Sequence, residues 1–152
     1  MLRKISLALI LILATSPIVS AHHTSETAPP AKSLYQRLGG YDAIAAVVDD
    51  FIGRMLNDPK LARFFTGFST NSKMRIRQHI VDQICAATGG PCVYVGRDMK
   101  TAHAGAGITE ADWNAAVGHL VATLDKFKVG ERERTELLTA ISAFKNDIVE
   151  KK

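Results

Sequence analysis

The sequence predicts an all-α fold, and three observations carry that prediction. Apolar residues recur at steps of three and four along most of the chain, the spacing that builds one apolar helix face. Alternating apolar–polar runs, the mark of a half-buried strand, are almost absent. Breakers stand where the helical pattern stops, at Asn57-Asp58-Pro59, at Gly89-Gly90-Pro91, and at Gly105 with Gly107. With 152 residues, 47% of them apolar, and no internal repeat, the chain suits one domain with a real core.

The first long helix is expected from about Asp42 to Leu56, where Ile44, Val47, Val48, Phe51, Ile52 and Met55 share a face. Pro59 follows its end, because proline cannot continue the hydrogen-bond ladder. A short segment from Lys60 to Phe65 comes next, with Gly67 and Ser69 as turn material. A second helix is expected over roughly Ser72 to Thr88, with Ile76, Ile80 and Ile84 on its apolar face and His79 on the same side. After a loop, Asp98 can cap a short helix through Met99, Lys100 and His103. Thr109 and Asp112 form a variant capping box ahead of a helix faced by Trp113, Ala116, Val117, Leu120, Val121 and Leu124. One last helix from near Gly130 carries Leu137, Leu138, Ile141, Phe144 and Ile148. Four substantial helices with short connections bury such stripes against each other.

Residues 1–21 read as a secretory signal rather than core. Arg3 and Lys4 precede the apolar run Ile5 to Ala14, and Val19-Ser20-Ala21 offers a small-residue exit. A transmembrane anchor needs on the order of 20 apolar residues, and Thr15, Ser16, Pro17 and Ser20 interrupt the run too early. The expectation is export, periplasmic or secreted, with cleavage near Ala21 and no stable membrane anchor afterwards. Losing Arg3 and Lys4 takes the formal charge from +4 to +2. No basic stripe with interleaved aromatics stands out, which argues against nucleic acid as a partner. Residues 22–32, polar and with Pro29 and Pro30, form a flexible lead-in to a domain spanning 33–152. The pair His22-His23 on such a tail has only incidental affinity for metal.

Cys85 and Cys92 are separated by six residues. An oxidising compartment permits a bridge between them, and a disulfide is expected; the other state is two free thiols. The spacing fits neither a CxxC redox motif nor half of a zinc site.

Two histidines carry chemical interest. His103 follows a capped short helix and precedes a glycine-rich exit, while His79 interrupts an aliphatic helix face. Either one alone is accounted for as a core histidine bonded to a backbone carbonyl. Two of them, on separate helices among Phe51, Phe65, Ile76, Ile80 and Trp113, also suit a planar, apolar cofactor whose iron needs an axial imidazole.

The run LYQRLGG from Leu34, followed by YDAIAAVVDDF, then NDPKLARFF and TGGPCVYVGRDMKTAHAGAGIT, resembles group I truncated haemoglobins. The likeness spans Leu34 to about Val149. It implies a two-over-two helical sandwich and a haem b, non-covalent since no CxxCH attachment motif is present. It places His103 as proximal iron ligand and Phe65 as the aromatic packed on the porphyrin. Tyr94, Met99, Ile108 and Trp113 fall at haem-contact positions, and Lys100 falls where a cation can pair with a propionate. Gly89, Gly90, Gly105 and Gly107 match the family's glycine motifs.

The distal side departs from the pattern. Many members carry tyrosine where this chain has Ile52 and glutamine where it has Ile80, both donors to bound oxygen. His79 instead matches a second iron-binding histidine of certain cyanobacterial relatives. Two roles stay open for it: direct iron coordination, which is favoured because it removes the cost of a buried unpaired imidazole, or a hydrogen bond to a bound diatomic ligand. The leading function is reversible binding of oxygen, NO or CO. A bis-histidine redox protein with an electron-transfer partner is the second, and an NO dioxygenase or peroxidase-like enzyme the third. A haem-free helical interaction domain is the fourth and the least consistent with the resemblance.

Overall fold

The computed structural model describes residues 31–151. The signal expected over 1–21 and the lead-in as far as residue 30 lie outside the described residues. Seven helices and one 3-10 turn follow in order: α1 (Leu34–Arg37), α2 (Gly40–Asn57), the turn Ala62–Phe65, α3 (Thr70–Ala87), α4 (Met99–His103), α5 (Glu110–Lys126), α6 (Glu131–Ser142) and α7 (Lys145–Ile148). Among the described residues the only extended pairing is an isolated bridge between Thr109 and Lys151. The fold is all-α, as expected.

Helix α1 starts with a capping box. The Ser33 hydroxyl accepts from the Gln36 N–H, and the Gln36 side chain accepts from the Ser33 N–H. Tyr35 N–H donates to the Thr88 carbonyl at 2.8 Å, docking α1 on the end of α3. There the chain turns through Gly89, at φ +81°. Gly89 N–H donates to the Ala86 carbonyl and Gly90 N–H to the Cys85 carbonyl, which satisfies two orphan helix carbonyls at once. A Cβ on Gly90 would lie 2.5 Å from the Tyr35 ring and 2.6 Å from Cys85 Sγ, so only glycine fits. The turn brings Cys92 back to Cys85, and the two form the expected disulfide.

Helix α2 packs on both α3 and α5. Val48 from α2, Val81 from α3 and Leu124 from α5 are wholly buried where they meet. Each such side chain contributes about 1.5–3 kcal/mol on transfer from water. Asp50 pins α2 to α5, accepting from Arg54 Nε at 2.7 Å, Thr123 Oγ1 at 2.9 Å and Lys126 Nζ. Lys126 first, then Arg54, holds the Asp50 carboxyl far below the usual carboxylate range.

The last helix differs from the sequence expectation. It is broken between Ser142 and Lys145 into α6 and α7. Around the break, Phe144 N–H donates to the Ile141 carbonyl and Asp147 N–H to the Phe144 carbonyl, tightened three-residue bonds in place of four-residue ones. No glycine or proline marks the spot, and the α7 segment beyond it packs against α4.

Candidate functional site

Helices α2 to α7, the 3-10 turn and the loop carrying Tyr94 and Arg97 surround a cavity of about 750 Å³. Its walls are mainly apolar, and two imidazoles reach it from different helices: His79 on α3 and His103 on α4.

His103 is held by local chemistry. Asp98 caps α4 through Oδ1, which accepts the Thr101 N–H at 2.8 Å, while Oδ2 accepts the Thr101 hydroxyl. The Thr101 N–H is the main reason that carboxyl ionises below its usual range. One turn later, His103 Nδ1 is 2.8 Å from the Met99 carbonyl. Donating there fixes the tautomer and leaves Nε2 with a free lone pair, the arrangement a metal-binding imidazole needs. Beyond His103 the chain bends through Gly105 and Gly107, at φ +77° and +67°. Both of their N–H groups donate to the Glu150 carboxylate at 2.5 Å. Those two bonds hold Glu150 below the ordinary carboxyl value. Glu150 and Lys151 N–H groups in turn donate to the Ile108 carbonyl, at 2.9 and 3.1 Å, so the chain end straps the loop after His103.

His79 is the opposite case. Its Nδ1 is buried without a hydrogen-bond partner. The Tyr94 ring meets it edge-on, centroids 6.0 Å apart and planes at 73°. Leaving such a nitrogen unpaired costs about 1–3 kcal/mol.

The remaining walls are set by the same elements. Arg63 joins the 3-10 turn to α5, donating to Asp112 Oδ2 at 2.7 Å while its guanidinium lies 4.6 Å over the Phe64 ring. This fixes Phe65 beside the cavity. Of the residues singled out from sequence, Phe51, Phe65, Ile76, His79, Ile80, Tyr94, Met99, His103, Ile108 and Trp113 line it. Ile52 and Lys100 do not. Ile52 packs against the core, at the edge of the α2 stripe, and Lys100 is exposed on the outer side of α4. Two cations with no assigned role in the sequence, Arg75 and Arg97, do line the cavity. Arg75 lies four residues before His79, on the same helical face, and that spacing was the available signal. Arg97 had no such signal.

The bacterial-like globin family model matches residues 33–150. The chain belongs to the bacterial-like globin family. This globin is 39% identical over 121 residues to a group 1 truncated haemoglobin GlbN of Mycolicibacterium paratuberculosis, covering 80% of this chain and 86% of that one. It is 31% identical over 123 residues to the Synechocystis GlbN, covering 77% and 97%. Among solved structures, the ferric truncated haemoglobin of Tetrahymena pyriformis aligns with TM-score 0.70 at 27% identity, covering 78% of this chain and 98% of that one. The 2/2 haemoglobin of Synechococcus, solved with covalently attached haem, aligns at 0.71 and 31% identity with the same coverage. The two-over-two sandwich is the fold of this globin.

Haem is the cofactor the family implies, and the residues present fit it. The cavity is apolar, His103 offers an oriented Nε2, and the unpartnered His79 ring stands ready for a partner. Arg75 and Arg97 have no carboxylate partner among the described residues, which suits them to the two propionates.

Proposed function

We propose that this globin is an exported protein that reversibly binds a diatomic gas, oxygen or NO, at a haem b held by His103. The observation that carries this reading is His103, which lines a mainly apolar cavity with Nδ1 committed to the Met99 carbonyl, leaving Nε2 free. When bound, haem supplies an iron with one open or exchangeable position for the gas. The protein's part is to hold that iron through His103, to exclude water with Phe51, Phe65, Ile76, Ile80 and Trp113, and to pair the propionates with Arg75 and Arg97. His79 lines the same cavity and would bind the iron in the absence of gas; its buried Nδ1 has no partner among the described residues, so no hydrogen bond holds the ring away from the iron. Export rests on the leader over residues 1–21, and non-covalent binding rests on the disulfide that consumes both cysteines.

The second reading, a bis-histidine redox protein, draws support from the same His79. Dioxygenase or peroxidase chemistry is less well served. Ile80 lines the distal wall where a glutamine donor would stand, and Ile52 is turned into the core. The deciding experiment is the visible spectrum of the ligand-free ferrous protein. Sharp, split, low-spin bands that become high-spin in His79→Ala support coordination. A high-spin spectrum in the unmodified protein removes the redox reading and leaves gas binding alone. No Soret band in either form overturns both.

A further inference from the structure

His79 lacks any hydrogen bond among the described residues, so packing must decide where its ring points. Tyr94 is the aromatic side chain that packs on it. Three features lock that tyrosine in place. Its hydroxyl donates to the Arg97 carbonyl at 2.5 Å, closing the loop on itself. Its ring lies over Gly96, where a Cβ would come within 2.3 Å of Oη and 2.4 Å of Cζ. Its neighbours Val93 and Val95 are 74% and 76% exposed, so Tyr94 alone turns inward. The root of the loop is fixed as well. Cys92, two residues before Tyr94, is bonded to Cys85, and Cys85 lies six residues after His79 on the same helix. Helix, bridge, loop and ring thus form one closed circuit that begins and ends on α3.

We propose that Tyr94 is the positioning residue for His79, and that the loop stapled by Cys85–Cys92 presses its ring against the imidazole and pre-orients it for the iron. The proposal rests on the reading that His79 coordinates. The benefit is conformational. A ring held in one orientation loses little freedom when it binds, whereas a free one loses more. The bridge therefore connects the redox state of the two sulfurs to the distal coordination of the iron, through a loop that itself need not touch the metal.

The test is carbon monoxide binding to the ferrous holoprotein, together with its ligand-free visible spectrum. Tyr94→Ala is expected to raise the high-spin fraction and to speed carbon monoxide binding by about three- to tenfold. Tyr94→Phe, which keeps the ring but frees it from Arg97, should fall between Ala and the unmodified protein. Cys85→Ala/Cys92→Ala should move in the same direction as Tyr94→Ala. The readout that a purely structural role would not produce is the double variant. In a His79→Ala background, Tyr94→Ala should have no further effect on the rate. An equal effect with and without His79 overturns the proposal, because Tyr94 would then act on the haem or the fold. A low-spin protein whose spectrum and rate ignore Tyr94→Ala overturns this proposal alone. A high-spin unmodified protein overturns the coordination reading and the proposal together. If Tyr94→Ala fails to fold, Tyr94→Leu fills the volume without a planar ring and carries the same expectations.

Discussion

The two faces of the cavity are built on opposite principles. On the α4 side the groups that orient His103 are bonded: Nδ1 to Met99, the helix start to Asp98, and the exit loop to Glu150. On the α3 side the one imidazole has an unpartnered nitrogen, meets the Tyr94 ring and shares the cavity wall with Ile76 and Ile80. Full satisfaction makes a group rigid, and an unmet hydrogen bond keeps it ready to change partners. Under the proposed function, the difference makes His103 the anchor and His79 the competitor. It also says where substitutions should hurt.

The largest effect should come from removing the anchor. His103→Ala is expected to lose most of its haem during purification, an affinity loss of more than about a hundredfold, since even outer-shell losses reach 10–100-fold at metal sites. His79→Ala should keep its haem. The ratio of Soret to protein absorbance in the two purified variants measures this. Equal retention would erase the distinction between the faces.

Next in size is the covalent brace of the α3 side. Cys85 and Cys92 close a short loop, with a sequence separation of 7. Cys85→Ala/Cys92→Ala should therefore lower unfolding stability by about 2–3 kcal/mol on the loop model, read from denaturant midpoints. Haem content should stay near that of the unmodified protein, because the α4 side is untouched. Loss of haem without loss of stability would mean the bridge supports His103 after all.

The sequence made the α4 side far more legible than its brace. Asp98, Met99 and His103 lie within six consecutive residues, so the cap follows from local spacing, while the ligand role of His103 comes from the family resemblance. Glu150 lies more than forty residues from Gly105 and Gly107, and no periodicity pairs residues that only the fold brings together. The same limit hid Arg97. Ile52 shows the converse problem, since a helix stripe is broader than the part of it that faces a cavity. Ser33 and Gln36 spelled out the capping box of α1, yet four residues gave no apolar period to find. The α6–α7 break has no breaker residue, and so had no signal.

A third prediction sharpens the contrast by adding what the distal face lacks. Ile80 lines the cavity and Ile52 packs in the core. Ile80→Gln places a donor within the cavity, and one hydrogen bond contributes about 0.5–1.5 kcal/mol. Oxygen dissociation, followed by stopped flow, should slow by about three- to tenfold. Ile52→Tyr should change that rate less, and an order reversed between the two would show that α2, not α3, faces the ligand.

The smallest effect concerns the strap, and pH gives it a sign. The Gly105 and Gly107 N–H groups hold Glu150 below its ordinary value of 4.5. A carboxylate depressed in the folded state contributes stability that is fully present above its unfolded pKa and is lost as pH falls through the folded one. Glu150→Gln keeps an oxygen for one glycine N–H but turns an NH2 toward the other, and it has no charge to lose. At pH 7 the variant should release haem about two- to fivefold faster, the scale of an exposed charge interaction. As pH drops below about 4.5 the unmodified protein forfeits the same contribution, and the two should converge. Soret decay during haem transfer to an acceptor globin, followed from pH 7 downward as far as the fold persists, measures the gap. A gap that widens on acidification would mean that Glu150 acts in its protonated form, and the strap would then be no part of what keeps His103 rigid.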